Sequence, residues 1–418
     1  MKIFESDFPP DYRSAEIKAI LAYITTGKFC QLICIPGAGK ATILRLLAHN
    51  RKLLKSHLGE KEKGLRFVYI NFFELTNFTE AEIIKLLLIG LDEKFQNSDD
   101  PLLLGRDLHE AVNRLSQNGQ TIIFLFDHFD EHQNRLPHTF FQMLKSLRNL
   151  AKFKFSVVFA TRRDLAGLVD EDILKDYWDF FVGNTVYLKV YDKVAVEYLF
   201  TQIENVFGQK IKAEQKTQIT KLTGGHAKLT KIISELVLGK AVKPQTENLL
   251  KETPVMAALY EIWLFLTSSE QQLLSKISEG KTSDQIDENL IKLDLVSYQN
   301  KFTIPLLEDF VKSAKLNVQT KIIFDPQTNE IKRGESIISE ILSAQEYRLL
   351  KFLIENPNKV IGRDEIIKAV WPQTEVTEAI SDEAIDQMVF RLRKKIEDEP
   401  QKPIHIQTVK GIGLKFEP

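Results

Sequence analysis

Cysteine is scarce in this chain of 418 residues, which has only Cys30 and Cys34. A fold held together by disulfides is therefore excluded, and no neighbouring ligand residues support a metal site at these thiols. Because the two thiols lie four residues apart on a predicted strand, we expect both in the core on one face. So few cysteines are typical of the reducing cytoplasm, where we expect this protein to work.

Long apolar runs and an excess of either charge are also missing. No run approaches the ~18 residues that span a bilayer, and the first residues, MKIFESDFPPDYR, lack a signal-peptide core. A formal net charge of −1 provides no overall field that would attract nucleic acid or a membrane. The 44% apolar and 27% charged fractions are those of a soluble globular protein without a membrane partner.

Five short apolar runs alternate with amphipathic stretches in the first 190 residues. Runs of this kind are buried on both faces, which predicts an α/β fold with a parallel sheet covered by helices. The runs are 30–35, 66–72, 121–126, 155–160 and 184–190, and the amphipathic stretches include 79–94, 105–118 and 138–151. Residues 12–27, before the first run, have the apolar spacing of a helix.

Strand signals stop after about residue 190. Residues 193–239 are predicted to be helices interrupted at TGGHAKL. Residues 256–313 are predicted to contain a helix, a short hairpin turning at YQNK and another helix, the outline of a small winged-helix unit. The predicted domains are 1–190, 191–248, 249–315 and 316–418.

The last hundred residues follow a different pattern. TKIIFDPQTNEIKRGESIISE alternates apolar and polar residues around the turn DPQTN, which predicts a small antiparallel sheet. Three predicted helices follow, and the chain ends in two short strands around Gly411 and Gly413. Ser343 and Ser381 are predicted N-caps, and Glu346 completes a capping box with Ser343.

The stretch ICIPGAGKATILRLL has the pattern of a phosphate-binding loop between a strand and a helix. Such loops bind phosphate because backbone N–H groups converge on its oxygens and the helix adds its positive end. Cys34 replaces the first glycine of the pattern, Ala41 replaces the hydroxyl that contacts Mg²⁺, and Thr42, about 100° further round the helix, is not expected to substitute. The predicted nucleotide contacts are Pro36, Gly37, Ala38, Gly39, Lys40, Ala41 and Thr42, with a functionless turn as the alternative.

A second strand, TIIFLFDHFDE, is predicted to bring acids to the same edge of the sheet. We expect Asp127 to hold Mg²⁺ through water and Asp130 to be a catalytic candidate. In one alternative, His128 and His132 form a metal pair at helical spacing. In another, Asp130 and Glu131 are solvated charges at a strand end.

A third strand, FSVVFATRRD, ends in a hydroxyl and two guanidinium groups. Thr161, Arg162 and Arg163 could sense a γ-phosphate through charge-assisted hydrogen bonds. We expect one of the two arginines to be only a surface charge. The candidate catalytic residues are Lys40, Asp127, Asp130 and Arg163.

The motifs of the first 240 residues resemble those of the STAND class of AAA+-related signalling ATPases, near the origin-recognition ATPases. DYRSAEIKAI resembles the segment that leads into their nucleotide site, and PGAGKATILRLL and FLFDHFDE resemble their phosphate and magnesium motifs. ATRRD resembles their sensor strand, and LTGGHAKL resembles the motif of their helical lid. Residues 250–315 resemble the winged helix that often follows.

This resemblance implies ATP or ADP with Mg²⁺ as cofactors, with Arg13 and His226 among the nucleotide contacts. It also implies a switch in which ADP holds the lid closed and ATP exchange opens it for self-association. Four positions depart from the family pattern: Cys34, Ala41, His128 and Ala227. These departures lower the expected rate of hydrolysis more than the expected affinity, because Lys40 and the glycine backbone remain.

Residues 320–418 resemble the OmpR/PhoB-type winged helix of response-regulator transcription factors, with matches in LSAQEYRLLKFLIENPNKVIGRDEIIKAVW, AIDQMVFRLRKKI and IQTVKGIGLKF. The resemblance implies that the third helix enters the major groove of double-stranded DNA and that the terminal hairpin contacts the minor groove or backbone. Leu392 and Ile396 are expected in the core. The implied DNA contacts are Gln387, Arg391, Arg393, Lys394, Lys395 and Lys410.

The charge of this segment predicts weak DNA binding by a single copy. Residues 316–418 contain 15 Lys and Arg against 17 Asp and Glu, and phosphate neutralisation supplies most non-specific affinity. The sequence therefore predicts an ATP-controlled transcription regulator triggered by an unidentified ligand or protein. The alternatives are an ATP-dependent DNA-loading or defence machine, and a nucleotide-stabilised scaffold whose last domain docks on protein.

Overall fold

The computed structural model describes residues 4–96, 98–131, 136–167, 171–280, 287–314, 322–326, 328–333, 336–372, 382–397, 400, 403–409 and 411–417. The chain divides into two compact units, Met1–Lys312 and Ser313–Pro418, here called unit 1 and unit 2. Within these described ranges, no helix combines the length and the apolar character needed to cross a membrane.

Unit 1 contains the predicted parallel sheet. Its strands are β1 (Cys30–Ile33), β2 (Leu65–Asn71), β3 (Thr121–Asp127), β4 (Phe155–Thr161) and β5 (Thr185–Tyr187). They are all parallel, in the order β2-β3-β4-β1-β5. β5 is shorter than the predicted run 184–190, because its neighbour in the sheet, β1, ends at Ile33, which pairs with Tyr187. Since β4 lies between β1 and β3, its carboxyl end lies between the phosphate-loop strand and the acidic strand.

Helices pack on this sheet and continue beyond it. They are α1 (Ser14–Ile24), α2 (Lys40–His49), α3 (Arg51–Leu58), α4 (Glu80–Gly90), α5 (Pro101–Gln117), α6 (His138–Ala151), α7 (Glu171–Phe181), α8 (Lys193–Phe207), α9 (Ala213–Thr223), α10 (Ala227–Lys240), α11 (Thr246–Leu249), α12 (Thr253–Phe265), α13 (Ser268–Ser278), α14 (Glu288–Lys292) and α15 (Pro305–Ala314). The predicted hairpin after α14 is an antiparallel bridge between Val296 and Phe302. The outcome is a P-loop ATPase fold, followed by helices that include a small winged-helix arrangement.

Aromatic side chains fill much of the core of unit 1. Each fully buried Phe contributes about 1.5–3 kcal/mol relative to an exposed one, so these rings hold the sheet and its helices firmly together. The cluster includes Phe29, Phe72, Phe124, Phe126, Phe129, Phe140, Phe141, Phe155 and Phe159. Cys30 and Cys34 are both buried and free, as expected for core thiols.

Unit 2 has its own core and two small sheets. Its first sheet contains β6 (Ile322–Asp325), β7 (Glu330–Arg333) and β8 (Ser336–Ile337), and its second contains β9 (Val360–Gly362), β10 (Ile406–Val409) and β11 (Gly413–Phe416). Its helices are α16 (Ala344–Glu355), α17 (Arg363–Val370) and α18 (Asp382–Ile396). The capping box of Ser343 and Glu346 is present at the start of α16. The predicted N-cap Ser381 lies outside the described residues.

Candidate nucleotide site and candidate nucleic-acid interface

The predicted phosphate loop connects the buried strand β1 to α2. Gly37 and Gly39 adopt left-handed backbone conformations, with φ of 77° and 114°, which side chains other than glycine rarely adopt. A Cβ atom added to Gly39 would meet nothing within 4 Å. This open space adjoins the positive end of α2, which begins at Lys40, so the loop fits a phosphate group.

A buried acid faces the loop lysine. The Lys40 amine lies 3.8 Å from Oδ1 of Asp130, whose side chain is only 3% exposed. Oδ2 of Asp130 accepts hydrogen bonds from the backbone N–H and Nε of Arg162, at 2.7 and 3.1 Å. Oδ1 of Asp130 is buried and has no hydrogen-bond partner among the described residues. Asp130 is therefore not the solvated charge of the alternative interpretation.

Asp127 ends β3 and is held by two neutral donors. The Tyr69 hydroxyl donates to its Oδ2 at 2.7 Å, and the backbone N–H of His128 donates to its Oδ1 at 3.0 Å. Burial and the hydrogen bond to Asp127 raise the pKa of Tyr69, so the phenol stays protonated. Each carboxylate oxygen can accept a second hydrogen bond, so Asp127 can still bind water.

His128 is turned towards an aromatic ring. Its backbone is left-handed, with φ of 58°, and its imidazole stacks on Phe73 with ring centroids 4.0 Å apart. His132, its partner in the alternative metal pair, lies outside the described residues. Within the described part of the chain, no group of three His, Cys, Asp or Glu side chains could hold a metal ion.

The residues that end β4 point in different directions. Thr161 is fully buried, and within the part of the chain that the structure describes its hydroxyl oxygen has no hydrogen-bond partner. Arg162 binds Asp130, the acid beside the predicted phosphate loop, as described above. Arg163 instead donates to both carboxylate oxygens of Glu270, at 2.7 and 2.6 Å, and to the Phe265 carbonyl at 3.0 Å. The expectation that one arginine is only a surface charge was wrong, because both are bound by buried carboxylates.

Glu270 is a functional candidate that the sequence reasoning missed. It lies in the first turn of α13, is buried, and forms a capping box with Thr267. Burial raises the pKa of Glu270, but hydrogen bonds from Arg163 and Thr267 outweigh burial and leave it lowered, so the pair is ionic. The sequence TSSE signals this capping box, but nothing local indicates its partner 107 residues away.

The TGGHAKL segment packs directly on the phosphate loop. Nε2 of His226 lies 2.8 Å from the Pro36 carbonyl, and the backbone N–H of Lys228 donates to the Gly37 carbonyl at 3.1 Å. Nδ1 of His226 accepts from the backbone N–H of Leu229 and so caps α10. With Nδ1 accepting, Nε2 carries the proton and donates to Pro36. Burial lowers the pKa of His226 to about 4, so the ring is neutral at pH 7.

The other side of the same segment leaves no room for side chains. A Cβ on Gly224 would lie 2.0 Å from the Thr303 carbonyl oxygen of the hairpin after α14, and one on Gly225 would lie 2.6 Å from the Tyr191 ring. The start of α10 is therefore held between the phosphate loop and the winged-helix hairpin. This packing is the one expected of the predicted lid, residues 191–248, in a closed state, and its role as a lid stays a prediction.

Arg13 lies at the segment that leads from β5 into the lid. Its guanidinium donates to the carbonyls of Lys189 and Val190 and lies 3.5 Å from Glu16, and it is 2% exposed. The structure thus gives Arg13 backbone partners inside the protein. Its role as a nucleotide contact stays a prediction, as do those of the other predicted contacts.

We expect the stability of unit 1 to fall by about 2 kcal/mol between pH 7 and pH 5 because of His226. The pKa of this group is about 4 in the folded protein and about 6.5 in an unfolded chain. Below pH 6.5 the unfolded chain binds a proton that the folded protein does not, so stability present at neutral pH is lost as the pH falls towards the folded pKa.

Urea unfolding at pH 7, 6 and 5 tests this expectation. His226→Asn keeps an acceptor for the Leu229 N–H but does not titrate, so its stability should depend less on pH. If the variant and the wild type lose equal stability between pH 7 and pH 5, His226 is not responsible.

In unit 2, α18 exposes a polar stripe. Gln387, Arg391 and Lys394 are exposed, and Phe390 lies between them. The opposite face of α18 lies in the core and includes Ile385, Met388, Val389, Leu392 and Ile396. Leu392 and Ile396 are therefore core residues, as expected.

Two of the predicted phosphate contacts are bound within unit 2. Arg393 donates to the Ile406 carbonyl and to the Thr408 hydroxyl, tying α18 to β10. Lys395 donates to Glu346 at 2.7 Å and to the Ile341 carbonyl at 2.9 Å. Lys410 lies outside the described residues. Arg391 and Lys394 are thus the basic residues of α18 that the structure presents to solvent.

Comparisons with known proteins identify a family for the end of the chain. The family model described as "Transcriptional regulatory protein, C terminal" matches residues 339–416. PetR of Rhodobacter capsulatus is 33% identical over 97 residues, which cover 23% of this chain and 40% of PetR. The sensory transduction protein RegX3 of Mycolicibacterium smegmatis is 38% identical over 76 residues, which cover 18% of this chain and 32% of RegX3. The chain thus spans about a third to two fifths of the length of these relatives.

Among solved structures, a Walker-type ATPase of Pyrococcus abyssi is similar over 72% of this chain and 95% of its own, with 17% identity and a TM-score of 0.47. The fold assigned to unit 1 rests on its own sheet order and phosphate loop. Residues 339–416 are an OmpR/PhoB-type transcription-regulator domain, in the same chain as a P-loop ATPase fold.

Proposed function

We propose that this protein is a nucleotide-controlled transcription regulator that binds DNA in the cytoplasm. In this proposal, residues 1–190 bind the nucleotide, 191–248 form the lid, 249–315 form the first winged helix and 316–418 bind DNA. One observation carries the proposal: a single chain combines a phosphate loop facing a buried acid with a regulator domain that exposes Arg391 and Lys394. The phosphate loop would receive the signal as a bound nucleotide. The regulator domain would give the response by binding DNA.

ATP or ADP is the ligand proposed for the loop. Lys40 and the backbone from Gly37 to Thr42 would bind its phosphates. Two buried oxygens, the Thr161 hydroxyl and Oδ1 of Asp130, lack a hydrogen-bond partner among the described residues, and such an atom costs about 1–3 kcal/mol. The Asp130 oxygen would accept from a water molecule beside the phosphates. Thr161 would hold a γ-phosphate oxygen or the attacking water.

Slow hydrolysis is the expected enzymatic behaviour. Mg²⁺, when bound, would neutralise phosphate charge, and Asp127 would hold one of its water molecules. Ala41 offers no hydroxyl at the head of α2 to contact Mg²⁺ directly. The donor set therefore suits a nucleotide switch better than a fast ATPase.

Two routes would couple the nucleotide to the first winged helix. Arg162 and Arg163 are consecutive, and they join the phosphate-side acid Asp130 to Glu270 of α13. The lid provides the second route, since it contacts both the phosphate loop and the hairpin at Thr303. We propose that the closed arrangement is the ADP-type state and that exchange for ATP releases the lid.

DNA binding would depend on self-association. Arg391 and Lys394 provide few positive charges, so one copy should bind weakly. Linking two or more copies raises apparent affinity by ~10²–10⁴ without any new contact. ATP-driven assembly of unit 1, in response to a triggering ligand or protein, would provide this linkage.

The test is DNA selection and gel shift with the full-length protein, in ATP, in ADP and without nucleotide, beside the fragment 316–418. We expect ATP-loaded protein to bind a selected site at least ~10² times more tightly than the fragment. Arg391→Ala should relax the sequence preference at one base pair. Lys394→Ala should instead weaken binding to all sequences and lower the slope of log affinity against log salt concentration by about one. Lys332→Ala on β7 is the matched control.

Other outcomes would support the alternatives. ATP turnover stimulated by DNA of any sequence would favour a DNA-loading machine. Equal affinity of the fragment and the ATP-loaded protein would contradict the avidity argument. Absence of DNA binding at low salt would favour a protein-docking scaffold.

A further inference from the structure

The exposed face of α18 carries a large apolar side chain. Phe390 is 43% exposed and does not belong to the core of unit 2. Gln387, Phe390, Arg391 and Lys394 have the i, i+3, i+4, i+7 spacing of one helix face. An exposed aromatic ring thus lies within the stripe that would face DNA.

We infer that Phe390 is a specificity-determining residue that contacts the C5-methyl group of a thymine in the major groove. The inference rests on the proposed DNA-binding function. In the major groove, thymine is the base that presents a methyl group, and apolar side chains including Phe read it. Gln387 and Arg391, which flank the ring, are side-chain types that pair with adenine and guanine edges.

The surroundings of the ring favour an anionic partner. The Lys394 amine lies 4.6 Å from the centre of the Phe390 ring, which places a positive charge beside the apolar surface. Asp386, one turn before Phe390 on α18, pairs with Arg363 at 3.2 Å. DNA offers phosphates for the cation and a methyl group for the ring, and a purely apolar protein surface would leave Lys394 unpaired.

The test uses full-length protein and its selected DNA site, with each thymine replaced in turn by deoxyuridine, which lacks only the methyl group. At one position, wild type should lose about fourfold in affinity, the effect of burying one methyl group. Phe390→Ala should bind the thymine and uracil versions equally. Phe390→Leu, which keeps an apolar side chain, should retain a preference for thymine. Phe390→Ala is expected to fold normally, because the side chain is exposed.

Two results would overturn the inference while leaving DNA binding intact. One is a wild type that is indifferent to uracil at every position. The other is a Phe390→Ala variant that keeps the full preference for thymine. If Phe390→Ala alters only capture of a protein partner, the ring belongs to a docking surface. Failure of the wild type to bind any DNA would instead refute the proposed function itself.

Discussion

Lys40→Ala is expected to weaken binding of both ATP and ADP by about 100-fold. The lysine follows Gly39 directly, at the start of α2, and its amine lies beside Asp130 in the proposed site. Loss of a charge-assisted contact to phosphate costs about 3 kcal/mol, which corresponds to that factor. Calorimetric titration of each nucleotide into the purified protein would measure it.

Lys40→Ala also leaves Asp130 without its neighbouring amine, 3.8 Å away. The melting temperature without nucleotide must therefore be measured for the variant, and Lys40→Ala combined with Asp130→Asn removes both charges. The exposed Lys231 on α10 provides the matched control, Lys231→Ala. Unchanged affinity in Lys40→Ala would mean that the loop does not bind phosphate.

Arg163→Ala is expected to destabilise unit 1 by about 3–5 kcal/mol, because it leaves the buried carboxylate of Glu270 without its partner. Arg163 supplies three of the hydrogen bonds at this contact. Glu270→Gln in the same chain removes the uncompensated charge but can still accept from the Thr267 N–H. We therefore expect the double variant Arg163→Met, Glu270→Gln to recover most of the lost stability in urea unfolding.

Loss of the Arg163–Glu270 pair should change the response of DNA affinity to nucleotide more than it changes nucleotide affinity. In the double variant, ATP and ADP should bind nearly as in wild type, since Arg163 already has partners outside the phosphate loop. DNA affinity should no longer respond to the nucleotide. Glu288→Gln, which breaks an exposed helical pair with Lys292, is the control and should change neither property. Selective loss of ATP affinity in Arg163→Ala would instead make Arg163 a direct γ-phosphate sensor.

Local patterns in the sequence were sufficient for much of the fold. The five apolar runs became five strands because side chains buried on both faces leave a continuous apolar signal. The capping box at Ser343 formed as predicted because its partners lie three residues apart. The loop from Pro36 to Thr42 was recognisable because its glycines and lysine are contiguous.

Contacts between distant segments were decided only by the tertiary structure. The local sequence around Glu270 indicates only a helix cap. Glu270 pairs with Arg163 because α13 packs beside the end of β4. The local sequence around Gly224 indicates only the end of a helix. In the structure, a side chain at Gly224 would also collide with Thr303, 79 residues later in the chain. In the sequence, Phe390 is one more apolar residue of an amphipathic helix. Its ring is exposed because other side chains of α18 already fill the core.

The sequence by itself determined which elements form and which chemical groups lie at their ends, since periodicity and capping act within a few residues. The tertiary structure decided which of those groups meet. It placed Asp130, rather than Asp127, beside Lys40, and it directed the adjacent residues Arg162 and Arg163 to different carboxylates. The physical reason is that burial makes an unpaired charge costly, and the partner that neutralises it is supplied by whichever segment the packing brings near.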